Sequence, residues 1–263
     1  MKNKIDLSNQ VIMITGVAGQ LGQILTTKAL NSGAKVLCID QSLDEMKKVA
    51  KESNWNMDNI LLQQANISFK SEIEKAFYKG LDHFGKINSQ INNAGVSVFK
   101  NWSERTEKDF DWVTDVNLKG TFFCMQIFMN YSIKEKNIGS IVNIASHYGL
   151  ISPDPRIYTD CDRRNSEVYG ATKAGIIQMS KYFSVNSLLD GAKIRVNSVA
   201  PGGILNPLNP QGKDFQRLYA ERCPLGRLAN LEEIVGPTLF LLSEDASYIN
   251  GHTLVIDGGM TAW

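Results

Sequence analysis

The sequence predicts an α/β fold in which helices cover both faces of one doubly wound parallel sheet. Short apolar runs alternate with longer amphipathic stretches along all 263 residues. Runs such as Val11–Thr15 and Lys35–Ile39 are apolar nearly throughout, which is typical of strands buried on both faces. The repeated order of strand, helix and strand implies right-handed crossovers between parallel strands.

Each predicted element follows from its pattern, because strands are short apolar runs and helices repeat apolar residues every three or four positions. The predicted strands are Val11–Thr15, Lys35–Ile39, Ile60–Leu62, Ile87–Asn92, Ser140–Ile144, Arg195–Val199 and Thr253–Ile256. The predicted helices are Leu21–Asn31, Leu43–Lys51, Ser71–Phe84, Glu107–Asn117, Gly120–Lys134, Ser166–Leu189 and Leu231–Leu242.

Two polar stretches interrupt this rhythm. Residues 151–165 contain Pro153 and Pro155, and residues 202–212 contain Pro207 and Pro210. Loops of this length in a compact domain are usually functional or mobile. No linker or low-complexity segment divides the chain, so we expect one domain over residues 1–263. Its substrate-loop insertions are expected at about 150–165 and 203–225.

Composition excludes several classes of protein. With 43% hydrophobic residues and a net charge of +1, the chain is neither disordered nor strongly basic, and nothing favours a nucleic acid or a membrane as partner. The amino-terminal residues lack the apolar core of a signal peptide, which favours a cytoplasmic location. The four cysteines are far apart and form no C-x-x-C pair, so we expect reduced thiols and no metal.

A glycine-rich turn, residues 15–22, lies between the first strand and the first helix. Glycines permit a tight turn there, and the helix N-terminus offers free N–H groups to a pyrophosphate. Asp40 ends the second strand, where a carboxylate can bind the adenosine ribose hydroxyls and repel a 2′-phosphate. This pattern favours NAD(H) over NADP(H). The alternative for Asp40 is a turn or helix-capping residue.

Tyr169 and Lys173 are four residues apart, on one face of the predicted long helix. If both face a pocket, the lysine charge favours the phenolate and lowers the tyrosine pKa, which makes the phenol a usable acid and base. Taken alone, this spacing is common on helix surfaces.

In the context of other motifs, the whole chain resembles the short-chain dehydrogenase/reductase family. The resemblance rests on seven ordered motifs, which are Thr15-Gly16 to Gly22, Asn92-Asn-Ala-Gly95, Asn117 in Val-Asn-Leu-Lys-Gly, Ser146, Tyr169-x-x-x-Lys173, Arg195-Val-Asn-Ser-Val-Ala-Pro-Gly202 and Asn250-Gly251 to Gly259. It implies a single-domain Rossmann-like fold and a homo-oligomer, a tetramer or a dimer.

The resemblance also implies a catalytic tetrad of Asn117, Ser146, Tyr169 and Lys173. Tyr169 exchanges a proton with the substrate oxygen while hydride passes to or from the nicotinamide, and Ser146 binds the same oxygen. Lys173 lowers the Tyr169 pKa and holds the nicotinamide ribose, and Asn117 helps to hold a water that relays protons. The alternatives are a helix break or cap for Asn117 and a strand-end turn for Ser146.

The cofactor contacts implied by the resemblance run along the carboxyl ends of the strands. They are Gly16, Gly19, Gln20, Leu21, Gly22, Asp40, Asn66, Ile67, Asn93, Ala94, Gly95, Tyr169, Lys173, Pro201, Gly202 and Ile204.

The chain departs from the family pattern at three polar positions. Gln20 stands where the single-domain branch has its middle glycine, because the turn has the spacing of the longer sugar-nucleotide branch. Asn66 replaces a common aspartate, and Asn206 replaces a threonine that often contacts the carboxamide. Neither Asn66 nor Asn206 abolishes a hydrogen-bonding role, whereas Gln20 is expected to remodel the approach to the pyrophosphate slightly.

A further departure lies between Ser146 and Tyr169, which are 23 positions apart, more than the family usually has. The additional residues, 153–165, must leave and re-enter the rim of the active site. The candidate substrate contacts are His147, Arg156, Arg163 and Arg164, which favour a hydroxylated or anionic substrate. The alternative is a solvated loop whose arginines pair with Asp160 and Asp162.

The chain resembles a bacterial subgroup that modifies surface-glycan and flagellin sugars. This resemblance rests on the insertion together with Ala200-Pro-Gly-Gly-Ile-Leu-Asn-Pro207 and the ending Asp257-Gly-Gly-Met-Thr-Ala-Trp263. We therefore expect an NAD-dependent oxidoreductase that acts on a sugar alcohol or ketone, including phosphorylated sugars. The first alternative is a 3-oxoacyl-acyl-carrier-protein reductase, against which Asp40 and the polar insertion argue. The second is a cofactor-binding regulatory protein that has lost turnover, against which the intact tetrad argues.

Overall fold

A computed structural model describes residues 5–159, 165–206 and 210–263. Within them, seven strands form one sheet in which all neighbouring pairs are parallel, in the order β3-β2-β1-β4-β5-β6-β7. The strands are β1 (Val11–Thr15), β2 (Lys35–Asp40), β3 (Ile60–Gln64), β4 (Ser89–Asn92), β5 (Ile138–Ile144), β6 (Lys193–Pro201) and β7 (Thr253–Ile256). The predicted doubly wound parallel sheet is confirmed.

The α-helices connect these strands and cover the sheet. They are α1 (Gln20–Asn31), α2 (Leu43–Glu52), α3 (Lys70–Phe84), α4 (Glu107–Thr114), α5 (Thr121–Glu135), α6 (Glu167–Leu189), α7 (Lys213–Arg222) and α8 (Leu231–Leu242). None of the described helices is long and apolar enough to cross a membrane.

The two faces of the sheet carry separate hydrophobic cores. Alternate residues of β1 divide between them, since Ile12 and Ile14 pack on one side while Val11 and Met13 pack on the other. This double burial explains why the strands are apolar at every position instead of at every second one. The order of the strands reverses between β1 and β4, which in such sheets creates a crevice at their carboxyl ends.

The helical region predicted as Glu107–Asn117 and Gly120–Lys134 is continuous in the structure. Asp115–Gly120 forms a π-helical segment between α4 and α5, and it carries Asn117 into the protein interior. A π-segment widens the helix by one residue and is frequent at functional sites. Helical periodicity alone does not reveal such a local widening.

The expectation of a loop through residues 203–225 is wrong in part, because α7 occupies ten of these positions. Phe215 and Tyr219 lie one turn apart on its buried face. They pack with Ile157 and Tyr158 of the 150–165 insertion in a third apolar cluster. The two regions predicted as separate loops are therefore one packed unit.

Candidate active site

A cleft of about 500 Å³ lies at the carboxyl ends of the strands, next to the N-terminus of α1. It is lined by eleven of the predicted cofactor residues, which are Gly16, Gly19, Gln20, Leu21, Gly22, Asp40, Asn66, Ile67, Asn93, Ala94 and Gly95. Its position at the point where the strand order reverses is where nucleotides bind in this type of sheet.

The glycine-rich turn forms the floor of this cleft. Gly16 has φ of +71°, a conformation that L-residues rarely adopt. A Cβ atom on Gly22 would lie 2.0 Å from the Gly16 carbonyl oxygen, so only glycine permits this close packing of helix on turn. Gly19 differs, since the nearest atom to its Cβ would be 3.4 Å away. The cradle fits a pyrophosphate at the helix N-terminus.

Asp40 lies at the end of β2 and faces the same cleft. Its carboxylate accepts hydrogen bonds from the backbone N–H groups of Ala18, at 3.1 Å, and Ser42, at 3.2 Å. These bonds orient the carboxylate and leave further acceptor capacity, because an ionised carboxylate has about four lone-pair sites. Asp40 thus has the turn role considered as an alternative and also the position of a ribose ligand.

The segment after β4 joins the cleft to the predicted tetrad. Asn93 donates from its side chain to the carbonyl oxygens of Thr15 and Gly16, both at 3.0 Å. A Cβ atom on Gly95 would lie 3.4 Å from Oδ1 of Asn117 and from Nζ of Lys173. Gly95 therefore marks the place where the cleft meets the buried polar side chains.

Three tetrad side chains converge at the ends of β5 and α6. Ser146 and Tyr169 share a side-chain hydrogen bond, and Ser146 Oγ also accepts from the N–H of Tyr148 at 3.1 Å. The Nζ atom of Lys173 lies 5.5 Å from the centre of the Tyr169 ring. The i, i+4 spacing thus places the phenol and the ammonium on one face of α6, as predicted.

The pKa values in this cluster are shifted mainly by burial. Burial raises the pKa of Tyr169, the hydrogen bond with Ser146 lowers it, and ionisation of the neighbouring Tyr158 would raise it. The expected lowering of this pKa by Lys173 is therefore not the net effect. Burial also lowers the pKa of Lys173 to about 8, and its Nζ donates to the Ile144 carbonyl at 2.8 Å.

Asn117 joins the fourth strand to the long helix. Its side-chain Oδ1 accepts from the Val96 N–H at 2.8 Å, and Nδ2 donates to the Val96 carbonyl at 2.9 Å. Nδ2 also donates to the hydroxyl of Thr172, at 3.2 Å, next to Lys173 on α6. Asn117 is fully buried, so these bonds form in a dry environment where they fix geometry well.

The predicted cofactor residues Pro201, Gly202 and Ile204 lie at or just after the end of β6 and, like Tyr169 and Lys173, do not line the 500 Å³ cleft. Pro201 ends β6, and its carbonyl oxygen contacts Nδ1 of His147 at 2.9 Å. Gly202 packs against Asp257, where a Cβ atom would lie 2.8 Å from the Asp257 Cα. Ile204 forms an isolated parallel bridge with Ala229. The contact between Pro201 and His147 brings the end of β6 next to Ser146, which directly precedes His147.

The arginines predicted to bind substrate divide into two groups. Arg156 is 80% exposed and pairs with Asp154 at 2.9 Å, so the solvated alternative describes it, although its partner is neither Asp160 nor Asp162. Arg163 and Arg164 lie outside the described residues. Asp154 also pairs with Arg222 of α7, which fastens the insertion to that helix.

The insertion brings a further phenol to the active site that the sequence does not predict. The hydroxyl groups of Tyr158 and Tyr148 are hydrogen-bonded at 2.6 Å, and the Tyr158 ring packs on Phe215 of α7 at 5.2 Å. Both tyrosines are buried, and Tyr158 lies close enough to Tyr169 for its ionisation to raise the Tyr169 pKa. No spacing rule connects a loop tyrosine to a distant helix.

The cleft also contains residues that the sequence does not identify. They are Ala18, Ile39, Gln41, Ser42, Glu45, Ala65, Val96, Trp112 and Val116. Those next to Asp40 and Asn66 are foreseeable, because they too follow the carboxyl ends of strands. Trp112 is half-exposed on α4, and nothing in the sequence around it distinguishes it from an ordinary surface tryptophan. Within the described parts of the chain, no group of His, Cys, Asp or Glu side chains has the arrangement to hold a metal.

Comparison with known proteins places this geometry in a family. A family model described as enoyl-(acyl carrier protein) reductase matches residues 16–261. The chain is 35% identical over 255 residues to the 3-oxoacyl-acyl-carrier-protein reductase FabG of Thermotoga maritima, covering 97% of this chain and 98% of that one. It is 31% identical over 261 residues to the L-rhamnose-1-dehydrogenase of Scheffersomyces stipitis, covering 97% and 96%.

A solved structure gives the same result. The chain is 34% identical to a short chain dehydrogenase from Leptospira borgpetersenii with bound NAD⁺, with a TM-score of 0.85, covering 97% of this chain and 96% of that one. Fold and site therefore define a nicotinamide-dependent oxidoreductase that acts on hydroxyl or keto groups. The chain belongs to the short-chain dehydrogenase/reductase family. The names of these relatives give no support for a surface-glycan subgroup.

The two glycines of the turn are expected to respond differently to alanine. Gly22→Ala forces a Cβ atom against the Gly16 carbonyl and lowers the free energy of unfolding by about 2 kcal/mol. Gly19→Ala should leave that free energy unchanged, because its Cβ has room, but should weaken NADH binding, because Gly19 lines the cleft. Urea denaturation and NADH titration measure the two effects. Equal stability losses in both variants would contradict the packing argument.

Lys173→Met is expected to stabilise the protein when no nucleotide is added. A charged lysine whose folded pKa is about 8 instead of 10.5 destabilises the fold by about 3 kcal/mol at pH 7. The lost bond to Ile144 offsets about 1 kcal/mol, which leaves a gain of about 2 kcal/mol. Between pH 8 and 10.5 the unfolded wild type binds more protons than the folded form, so the stability of the wild type rises with pH. The advantage of Lys173→Met over the wild type therefore shrinks as the pH rises.

Denaturant unfolding at pH 7 and pH 10 measures this difference. Lys181→Met is the matched control, since Lys181 is an exposed lysine on the same helix, and its stability should stay near wild type. A gain that is independent of pH would show that burial of charge is not its cause.

Proposed function

We propose that the protein is an NAD-dependent dehydrogenase that interconverts a secondary alcohol and a ketone on a polar, polyhydroxylated substrate. The observation that carries this proposal is the convergence of Ser146, Tyr169 and Lys173 beside Gly95, at one end of a cleft that holds Asp40. One end supplies acid–base groups and the other supplies a ribose ligand, as a hydride transfer with a dinucleotide requires.

The residues of the site suit distinct steps. When bound in the cleft, a nicotinamide would supply the carbon that accepts or donates hydride. Tyr169 exchanges a proton with the substrate oxygen, and Ser146 forms a hydrogen bond with that same oxygen. Because its pKa is raised, Tyr169 is protonated at neutral pH and ready to protonate a carbonyl oxygen. Oxidation requires the phenolate, which the nearby Lys173 ammonium favours.

Lys173 and Asn117 have supporting roles in this proposal. Lys173 also holds the nicotinamide ribose from its position next to Gly95. Both protons of the Asn117 amide already have partners, at Val96 and Thr172, so its side chain positions the backbone around the site. A proton-relaying water near Asn117 stays a prediction.

Support for a polar substrate comes from the polar part of a second cavity of about 180 Å³, whose lining also includes Ile151, Ile157, Met260 and Trp263. His147 lines it, and its Nδ1 faces the Pro201 carbonyl, which can only accept a hydrogen bond, so Nδ1 carries the proton. Burial lowers the pKa of His147, so the ring is neutral at pH 7 and Nε2 is an acceptor. Ser152 and Asp154 add polar groups to the same cavity.

The identity of the substrate within this class is open to experiment. Phosphorylated and nucleotide-linked sugars belong in the test because Arg163 and Arg164 come six and five residues before Tyr169 in the sequence. A role in surface-glycan biosynthesis rests only on the sequence motifs. A cytoplasmic location and a homo-oligomer also stay predictions. A screen of sugar alcohols and sugars with NAD⁺ and NADH, followed by absorbance of the reduced nicotinamide, tests the proposal directly.

The acyl-carrier-protein alternative is favoured by one observation, the 35% identity to FabG. The Asp40 carboxylate argues against it, because reductases of that kind generally use NADPH. Reduction of an acetoacetyl thioester with NADPH distinguishes the two activities. Faster turnover of the thioester than of every polyol would favour the alternative.

Tyr169→Phe is expected to lower kcat by roughly 10²–10⁴-fold, since the variant lacks the group that exchanges the proton. NADH binding should change little, because the ring is retained. Tyr182→Phe on the same helix is the control, as Tyr182 is exposed to solvent. Steady-state kinetics and NADH fluorescence titration measure both quantities. Retained activity in Tyr169→Phe would exclude the proposed acid–base role.

NADH is expected to bind at least about tenfold more tightly than NADPH, because Asp40 repels a 2′-phosphate. Asp40→Ser should remove most of this preference. Asp44→Asn is the control, since it removes a negative charge from an exposed position that does not line the cleft. Calorimetric titration of each variant with both nucleotides gives the ratios. A wild-type preference for NADPH would contradict the assignment of Asp40.

A further inference from the structure

Two positions where the chain departs from the family pattern contact each other in the structure. Gln20 occupies the place of a glycine in the first turn, and Asn206 follows the last predicted cofactor residue after β6. Nε2 of Gln20 donates a hydrogen bond to Oδ1 of Asn206. The two residues are 186 positions apart, so this contact joins distant parts of the chain.

The bond between Gln20 and Asn206 spans the space above two strands of the sheet. Gln20 begins α1, directly after β1, whereas Asn206 follows β6. In the sheet, β4 and β5 lie between β1 and β6. A contact between the two residues therefore crosses the carboxyl ends of β4 and β5. This is the crevice in which a dinucleotide lies in such a sheet. Gln20 itself lines the 500 Å³ cleft.

Asn206 is held in place by the chain that leads into α7. The Gln211 side chain donates to the Ile204 carbonyl at 2.8 Å and accepts from the Asn206 N–H at 3.4 Å. Gln216 in the first turns of α7 donates to the Gln211 carbonyl at 2.7 Å. A series of amide groups thus runs from the pyrophosphate turn to the helix that packs on the insertion.

We propose that Gln20 and Asn206 form an amide clasp across the cofactor crevice that slows the release of bound dinucleotide. Asn206 is a positioning residue in this assignment, because it acts on the cofactor through Gln20. A glycine at position 20 has no side chain to form such a clasp. The inference rests on the proposed function, since it requires that a dinucleotide occupies the crevice.

The test is a double-mutant cycle on the dissociation rate of NADH. Dissociation of NADH from the full-length protein is followed by stopped-flow fluorescence after mixing with excess NAD⁺. Gln20→Ala and Asn206→Ala should each raise the rate about three- to tenfold, the effect of one hydrogen bond. The double variant should dissociate no faster than the single variants, because each change removes the same bond.

Gln23→Ala is the matched control. Gln23 lies in the same helix, and its side chain bonds Ser53 at 2.8 Å instead of crossing the crevice, so its dissociation rate should equal that of wild type. Unchanged rates in both single variants would overturn the clasp. Multiplying effects in the double variant would also overturn it, because they would indicate two independent contacts with the cofactor. Failure of the wild type to bind NADH would instead count against the proposed function.

Discussion

The architecture of the site depends on the side-chain amide of Asn117, which binds both backbone groups of Val96. Through these two bonds the π-helical segment holds the chain that leaves β4, and the bond to Thr172 attaches the same amide to α6. The cofactor cleft and the acid–base cluster are built on different elements, and this amide connects them. Replacement of Asn117 would destabilise the fold, because each buried hydrogen-bond partner left unpaired costs about 1–3 kcal/mol. The π-segment holds Asn117 in the interior while the helical region from α4 to α5 remains continuous.

Burial of charge distinguishes the functional half of the molecule from the rest. Lys173 is buried against a single backbone carbonyl, whereas the ion pairs elsewhere in the described structure lie largely at the surface. Surface pairs of this kind contribute little to stability. A buried lysine without a carboxylate partner destabilises the fold, and it persists where its chemistry is needed. The structure therefore places a buried lysine next to the residue proposed to carry the proton.

Much of the fold could be predicted from the sequence because strand burial and turn chemistry are local signals. Gly16, Gly22 and Asp40 are recognisable from their positions at strand ends, and the structure places them in the cleft as expected. The features that could not be predicted depend on contacts between distant residues. Tyr158 acquires its surroundings only when α7 packs on the insertion, and the partner of Arg156 is fixed by local loop geometry. The π-segment is a change in helical pitch that leaves the apolar pattern intact.

The packing of the insertion against α7 has a consequence for protein engineering. Asp154 pairs with Arg222, Tyr158 packs on Phe215, and the two regions enclose one apolar cluster without contributing a strand to the sheet. The two regions pack on each other as one unit outside the sheet. A chimera that exchanges only the loop would place Asp154 and Tyr158 against an unrelated helix, and the contacts with Arg222 and Phe215 would be lost. Residues 151–159 and α7 should therefore be exchanged together, as a single cassette, when substrate preference is transferred between members of the family.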